Sequence, residues 1–195
     1  MLNDRSSTLA LLATRRSGKP REMVAPGPGA DELDQILAIA ARTPDHGKLF
    51  PWRFVVVGDD QRDRLATLLV GALQTEDPDG KLARRDQAID FARQAPSLVV
   101  LVSAPIAGHK IPLWEQELST GAAAMNLLTA TAALGYVGGW ITGWPTYSAI
   151  VNAAFCAPGE RIAGFLFLGS PSRPLEERPR PDLAQIVRHW VPPTA

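Results

Sequence analysis

The chain has 195 residues, 46% of them hydrophobic and 21% charged, the balance of one packed globular domain rather than of a disordered or membrane protein. Its 20 Lys+Arg offset its 20 Asp+Glu, so no broad positive field gathers nucleic acid or an anionic membrane, and any bound anion must be held by a local cluster. Cys156 is the only cysteine, which excludes an internal disulfide and a cysteine cage for a metal, and points to a reducing cytoplasm.

Residues 1–19 carry charge on both sides of a short apolar run and lack the features of a signal peptide, so they read as mature protein. Leu9, Leu11 and Leu12 predict a short helix that runs into Arg15-Arg16-Ser17 and is stopped by Gly18 and Pro20. From Asp31 to Arg42, Leu33, Ile36, Leu37 and Ala40 fall at helical spacing, with acids leading and Arg42 trailing as the macrodipole prefers. After the loop Thr43 to Pro51, WRFVVVG reads as a buried strand ended by Gly58. Two amphipathic helices are expected next, Gln61 to Leu73 and Lys81 to Arg93, separated by the turn sequence EDPDG.

SLVVLVS, Ser97 to Ser103, is a second core strand bounded by prolines. Trp114 to Leu134 is the longest helix pattern, apolar on nearly every side and therefore central, with Gly135 as its cap. The weakly polar stretch from Gly121 to Trp140 is broken by Asn126, threonines and paired glycines, which suits a buried helix better than a membrane span. YVGGWITG gives a strand, SAIVNAAF a helix and ERIAGFLFLGS the strongest strand. Residues 171–195 include six prolines and read as an extended arm, within which Ile186 to Val191 is expected to pair as an edge strand.

Helices and strands alternate only loosely, and no strand is followed by GxGxxG or a Walker pattern, so nothing supports a Rossmann nucleotide site. A single α+β domain spanning 1–195 is the expectation. An arm with so little core of its own is most simply satisfied by wrapping a neighbouring subunit, which suggests a dimer.

Three clusters could carry chemistry. Arg15 to Lys19 puts two guanidinium groups, a hydroxyl and an ammonium within five residues, which suits a terminal phosphate, although solvated charge at a helix end explains the same composition. In Ala41 to Phe54, Arg42, His46 and Lys48 converge on a proline-stiffened loop beside Phe50 and Trp52, fit for a planar, partly polar ligand; a hydrogen-bonded surface histidine is the plainer alternative. The glycine pair of GGWITG allows either close approach of a ligand ring or tight strand packing. Likewise Gly121 to Ala124 admits a flat ring or, more simply, a close-packed helix. Glu115 and Glu117 leave a helix on different faces and read as structural or rim charges. His109 and His189 nominate no metal site, and Ser119 and Cys156 show no nucleophile motif.

The ordered series of RRS, TPDH followed by PWRF, HKIPLWEQE, the Ala-rich helix ending ALGYVGGW, and GFLFLG resembles the short, minimal members of the nitroreductase family over nearly the whole chain. The resemblance implies an α+β fold with a central, mainly antiparallel sheet flanked by helices, a homodimer with exchanged C-terminal arms (171–195), and FMN at the two interface sites. Residue by residue, it assigns flavin phosphate and ribityl contacts to Arg15, Arg16 and Ser17. It places Lys19 near the pyrimidine, where a positive group favours the anionic reduced flavin. Arg42, from the partner subunit, and His46 match flavin-holding positions; Trp140, Ile141 and Thr142 match the segment along the ring. Ala130, Thr131, Ala132, Ala133, Leu134 and Gly135 match a stretch associated with the pyridine nucleotide.

Two departures stand out: close relatives carry WRS where this chain has Trp140-Ile141-Thr142, and longer relatives carry Gln where it has Phe50. Arg178 or Arg180 in the arm is expected to replace the missing guanidinium. The implied activity is hydride transfer from NAD(P)H to a small planar acceptor, a nitroaromatic or a quinone, by ping-pong turnover on the flavin. Flavin fragmentation, reductive dehalogenation, a non-enzymatic FMN-binding redox sensor and a bare structural dimer remain as alternatives.

Overall fold

A computed structural model describes residues 1–79 and 82–193. The expected helix start at Lys81, the last residue of the EDPDG turn and the last two residues of the arm lie outside the described residues.

In chain order the elements are α1 (Thr8–Thr14), β1 (Met23–Val24), α2 (Ala30–Ala40), β2 (Trp52–Val57), α3 (Arg62–Glu76), α4 (Leu82–Arg93), β3 (Ser97–Ser103), α5 (Leu113–Ala133), β4 (Val137–Ile141), α6 (Trp144–Tyr147), α7 (Ala149–Phe155), β5 (Arg161–Pro171) and α8 (Leu183–Ile186). The expected α+β class is observed, and every strand pairing is antiparallel. The sheet runs β1-β5-β3-β2, with β4 also paired to β5.

The strands are apolar because both faces of the sheet are covered. Along β3, Leu98, Val100 and Val102 pack into a core with Leu65, Leu69 and Val151, whereas Val99 and Leu101 pack into a second core with Ile36, Ala123 and Leu127. Strand β5 divides the same way, Phe165 and Phe167 to one side, Leu166 and Leu168 to the other. A period of two with apolar side chains on each face yields an unbroken apolar run in sequence. Thus α3, α4 and α7 form one layer and α2 and α5 the other.

Local signals set the boundaries. Ser7 caps α1 by accepting from the Ala10 N–H, and α1 ends where Arg15 turns extended. In α2, Glu32 reaches back to the Gly29 N–H at 2.9 Å. Helix α5 stops at Gly135 (φ 97°), where Gly135 N–H donates to Ala132 O at 3.0 Å and Tyr136 N–H to Thr131 O at 3.1 Å, the paired closure that a left-handed glycine permits. Among the described residues no helix is long and apolar enough to cross a membrane.

The arm departs from expectation. Ile186 to Val191 forms no edge strand; α8 makes a single turn capped by Asp182, and the described residues after it, up to residue 193, have no regular structure. Leu183, Ile186, Trp190 and Val191 are all exposed, so in one chain this segment reaches no sheet edge with which to pair. Residues before Asp182 behave differently: Ser172 N–H donates to Glu22 O at 2.9 Å and Arg173 pairs with Glu22, strapping the arm over the chain's own early segment.

Candidate functional site

Residues 15–19 leave α1 in an extended path and lie against β4. Gly18 N–H donates to Gly138 O at 3.2 Å, and Gly18 O stands 2.7 Å from where a Cβ on Gly139 would be. The corresponding Cβ on Gly138 would meet Leu128 Cδ2 at 2.7 Å. The glycine pair therefore serves tight chain packing, and its space is filled by protein rather than left for a ligand. The basic segment and the tryptophan strand, distant in sequence, are adjacent in one chain.

Charge gathers at this junction. Arg16 is committed to structure, its N–H donating to Asn3 Oδ1 at 2.7 Å and its Nε to Glu176 O at 2.9 Å. Arg180 reaches Arg15 O at 3.4 Å and Glu177 Oε1 at 3.3 Å. Lys19 sits 3.5 Å from both Glu22 and Glu176, so its ammonium is shared between two acids. The Arg178 N–H donates to Glu177 Oε1 at 2.7 Å. Arg15 differs: half-buried, it donates to Ser17 Oγ at 3.3 Å and, among the described residues, pairs with no carboxylate. Burial, followed by the nearby charges of Arg180 and Arg16, pulls its guanidinium below the usual arginine range. A half-buried cation among like charges lacks a counter-ion, and an anion with several acceptor oxygens supplies it.

Strand β4 carries this region to a second feature. From Gly138 to Ile141 is about 10 Å at the usual strand rise. Trp140 donates from Nε1 to Ala163 O at 3.1 Å, its indole lying over Gly164, where a Cβ would come within 2.0 Å of Nε1. Ala163 is the extra residue of a bulge, because Leu101 pairs with Gly164 but Val102 with Ile162. Ile141 is half-buried against the core and Thr142 is exposed. Beside them opens a cavity of about 290 Å³ walled by Trp140, Thr142, Thr120, Gly121, Ser103 and Thr146, with the Glu117–Arg161 ion pair (2.9 Å) also on its lining.

The histidine loop is positioned by α5. Ser119 Oγ donates to Pro44 O at 2.6 Å, Thr120 Oγ1 to Pro51 O at 2.8 Å, and Asn126 Nδ2 to Arg42 O at 3.0 Å. These bonds hold a loop with left-handed backbone at Gly47, Lys48 and Phe50 (φ 84°, 55° and 50°). His46 Nδ1 lies 2.7 Å from Glu115 Oε2, so the Nδ1–H form donates to the carboxylate and leaves Nε2 for another partner. The Arg42 guanidinium has no ion-pair partner among the described residues, and its side chain is exposed. Sequence alone reads Glu115 as a structural or rim charge; the fold closes a 69-residue separation and makes it the histidine's partner. Trp114, Leu118 and Met125 are exposed on α5 at helical spacing, and Phe50 is also exposed.

The first half of the Ala130 to Gly135 stretch is interior and the second half reaches the surface. Ala130, Thr131 and Ala132 are buried, and Thr131 Oγ1 is occupied by Leu127 O at 2.8 Å. Their expected nucleotide contacts have no exposed side chain to make them; Ala133 and Gly135 are exposed and Leu134 half-exposed.

A model of the nitroreductase family matches residues 12–170. The chain is 38% identical over 168 residues, 84% of its own length and 87% of the relative's, to the Escherichia coli (strain K12) protein named "Putative NAD(P)H nitroreductase YdjA". Among solved structures, the nitroreductase-like family protein from Bacillus cereus superposes with a TM-score of 0.81 at 20% identity, covering 94% of this chain and 95% of that one. A mutant of NfnB, an FMN- and NADPH-dependent nitroreductase from Sphigopyxis sp. strain HMH, superposes at 0.70 with 20% identity, covering 91% and 95%.

Proposed function

The chain belongs to the nitroreductase family, and on that premise we propose that it is an FMN-dependent oxidoreductase that takes hydride from NADH or NADPH and passes it to a small planar acceptor. The observation that carries the reading is Arg15, a half-buried guanidinium beside Ser17 and near Arg16 and Arg180, without a carboxylate of its own. A phosphate monoester fits that set: it accepts from forked donors and a hydroxyl and offsets the like charges. Arg15, Ser17 and Arg180 would hold the phosphate, and Arg178 lies two residues before Arg180 on the same arm. Trp140, Ile141 and Thr142 would underlie the ring.

Bound there, FMN supplies two-electron chemistry, so the protein needs neither nucleophile nor metal for the transfer. The chain's own contribution is binding and orientation. Strand β4 spaces the phosphate cradle from the ring platform, and the cavity beside Trp140 gives one open approach that donor and acceptor occupy in turn, which produces ping-pong kinetics. Lys19, already shared between Glu22 and Glu176, contributes to the flavin's field only as part of that cluster.

In a single chain, Arg42 and His46 belong to a loop tied to α5 rather than to the cradle. A homodimer supplies them from a second copy and covers apolar surface left open in one chain, including Trp114, Leu118, Trp190 and Val191. The lone cysteine fits work in the reducing cytoplasm.

The test is an absorbance spectrum of purified protein with added FMN, followed by anaerobic titration with NADH and with NADPH. Retained flavin bleached by at least one nucleotide is expected. Colourless protein that gains no flavin band refutes the cofactor assignment. Bound flavin that neither nucleotide bleaches refutes the enzyme and leaves a redox sensor.

A further inference from the structure

Asn152, in the middle of α7, uses every hydrogen-bonding position of its side chain. Its Nδ2 donates to Thr146 O and to Ser148 O, both at 2.8 Å, while Oδ1 accepts from the Ile162 N–H at 2.8 Å and from Cys156 Sγ at 3.7 Å. Two carbonyls on one side and an N–H on the other fix which way the amide points. A half-buried side chain on a seven-residue helix thereby joins α6 to the start of β5.

What it joins is one wall of the cavity beside Trp140. Thr146 and Tyr147 reach that wall from α6, and Arg161, Ile162 and Ala163 from β5. Ile162 stands where the register between β3 and β5 shifts. A bulge disrupts the ladder locally, and here the Ile162 N–H goes to a side chain. The next residue, Ala163, offers the carbonyl that takes the Trp140 Nε1–H at 3.1 Å. Gly164 follows, with the indole so close over it that a Cβ has no room. The indole therefore rests on a stretch of main chain whose course Asn152 sets. The far end of the tether is firm, because Glu76 at the end of α3 accepts from Ser148 Oγ at 3.0 Å and from the Ile150 N–H at 3.2 Å. An asparagine that only tightened its own helical region would account for the bonds to Thr146 and Ser148, but not for the one to Ile162, ten residues on in another element.

We propose that Asn152 is a positioning residue: it holds the bulged start of β5 to the junction of α6 and α7, and so sets the tilt of the Trp140 indole and the shape of the cavity beside it without touching a ligand. That this tilt governs how a flavin ring is seated rests on the flavin reading above; the positioning itself rests on the hydrogen bonds.

The experiment compares Asn152→Asp with Val151→Ala. An ionised aspartate keeps the shape but has no donor, so it sets a carboxylate against two carbonyl oxygens. Val151 is fully buried on the same helix, and its truncation removes packing while leaving the tether intact. Both variants lower the thermal midpoint. In flavin-free protein, Asn152→Asp shifts the near-ultraviolet circular dichroism of Trp140, read as the part of the spectrum that Trp140→Phe removes, and Val151→Ala does not. With FMN added, Asn152→Asp alters the visible circular dichroism of the bound flavin and weakens its binding about three- to tenfold, the equivalent of one neutral hydrogen bond; Val151→Ala does neither. Should Asn152→Asp fail to fold, Asn152→Ala replaces it, cutting the same bonds without adding charge.

A Trp140 signal unchanged in the folded Asn152 variant, or shifted equally by Val151→Ala, overturns the proposal. A shifted Trp140 signal in a variant whose flavin dichroism and affinity match the wild type overturns the link between tilt and ring seating. The flavin band of the wild type is read in the same series. A shifted Trp140 signal where wild-type protein gains no flavin band sinks the flavin reading alone, and a wild-type flavin band that NADH or NADPH bleaches, with the Trp140 signal of the variant unshifted, sinks the positioning alone.

Discussion

Gly139→Ala tests whether the cradle and the ring platform are joined through the main chain. An alanine there gains about 0.4–1 kcal/mol from a less flexible unfolded chain. It also places a Cβ 2.7 Å from Gly18 O, with Met23 Cε at 3.3 Å and Pro20 Cδ at 3.4 Å. Overpacking of this kind costs about 1–3 kcal/mol, and a main-chain oxygen has no rotamer by which to yield, which favours the upper half of that range. The net loss is about 1–2.6 kcal/mol, a fall in thermal midpoint of about 2–10 °C for a domain of this size. Relief comes by moving Gly18, and with it Arg15 to Lys19, away from Trp140. FMN affinity should therefore fall about tenfold. Gly138→Ala is the control, because its Cβ meets Leu128 Cδ2 at 2.7 Å and Leu168 Cδ2 at 3.3 Å, ends of side chains that can rotate; its net cost should stay within about 1 kcal/mol. Urea unfolding of flavin-free protein and FMN titrations followed by flavin fluorescence measure both quantities. If the two variants match in stability and in affinity, the coupling through Gly18 is wrong.

Arg15→Ala should weaken FMN about 10- to 100-fold, the loss of one charge-assisted bond or somewhat more, with a shallower salt dependence than the wild type in equilibrium dialysis. Arg180→Ala should cost only a few-fold because that side chain is exposed; unchanged affinity at low salt in both Arg178→Ala and Arg180→Ala would eliminate the arm as a source of replacement charge. The Cys156 thiol, pushed up to about 11 by burial and then by Glu160, should react far more slowly with a disulfide reagent near neutral pH in native protein than in urea, and equal rates would contradict that. Glu32 is held below the usual carboxylate range by the Gly29 N–H and then the Tyr136 hydroxyl. Its contribution is complete above the ordinary carboxylate range and disappears as the pH falls through the lowered value, so Glu32→Gln should flatten the acid limb of stability measured by urea midpoints across acidic pH.

Local pattern made most elements legible because it records what each segment buries. SLVVLVS lacks alternation for the physical reason that β3 is covered on both faces, and α5 is apolar nearly all round because it lies against the sheet, α2 and the histidine loop. Pairings across long separations left no comparable local signal. Strand β1 has two residues, Met23 and Val24, and exists only because Pro171 and Ser170 pass beside it. The His46–Glu115 contact spans 69 residues. The edge strand expected at Ile186 to Val191 failed for the complementary reason: a β-prone run forms a strand only where it has a neighbour, and one chain supplies none.

The same distinction explains what a single copy can do. Residues 15–19, the glycine pair of β4 and the arm up to Arg180 are held together within one chain, by Gly18 to Gly138, Arg16 to Glu176 and Arg180 to Arg15. Arg42 and His46 are fixed to α5 by other bonds, with Arg42 free of ion pairs among the described residues and His46 turned to Glu115. On the flavin reading, one copy would bring the phosphate cradle and the ring platform, and the histidine loop would join the site from another copy. The exposed apolar residues of α5 and of the distal arm are the surfaces that such a meeting would remove from water. Cofactor binding and association would then favour one another, because each would add contacts to the state that the other selects.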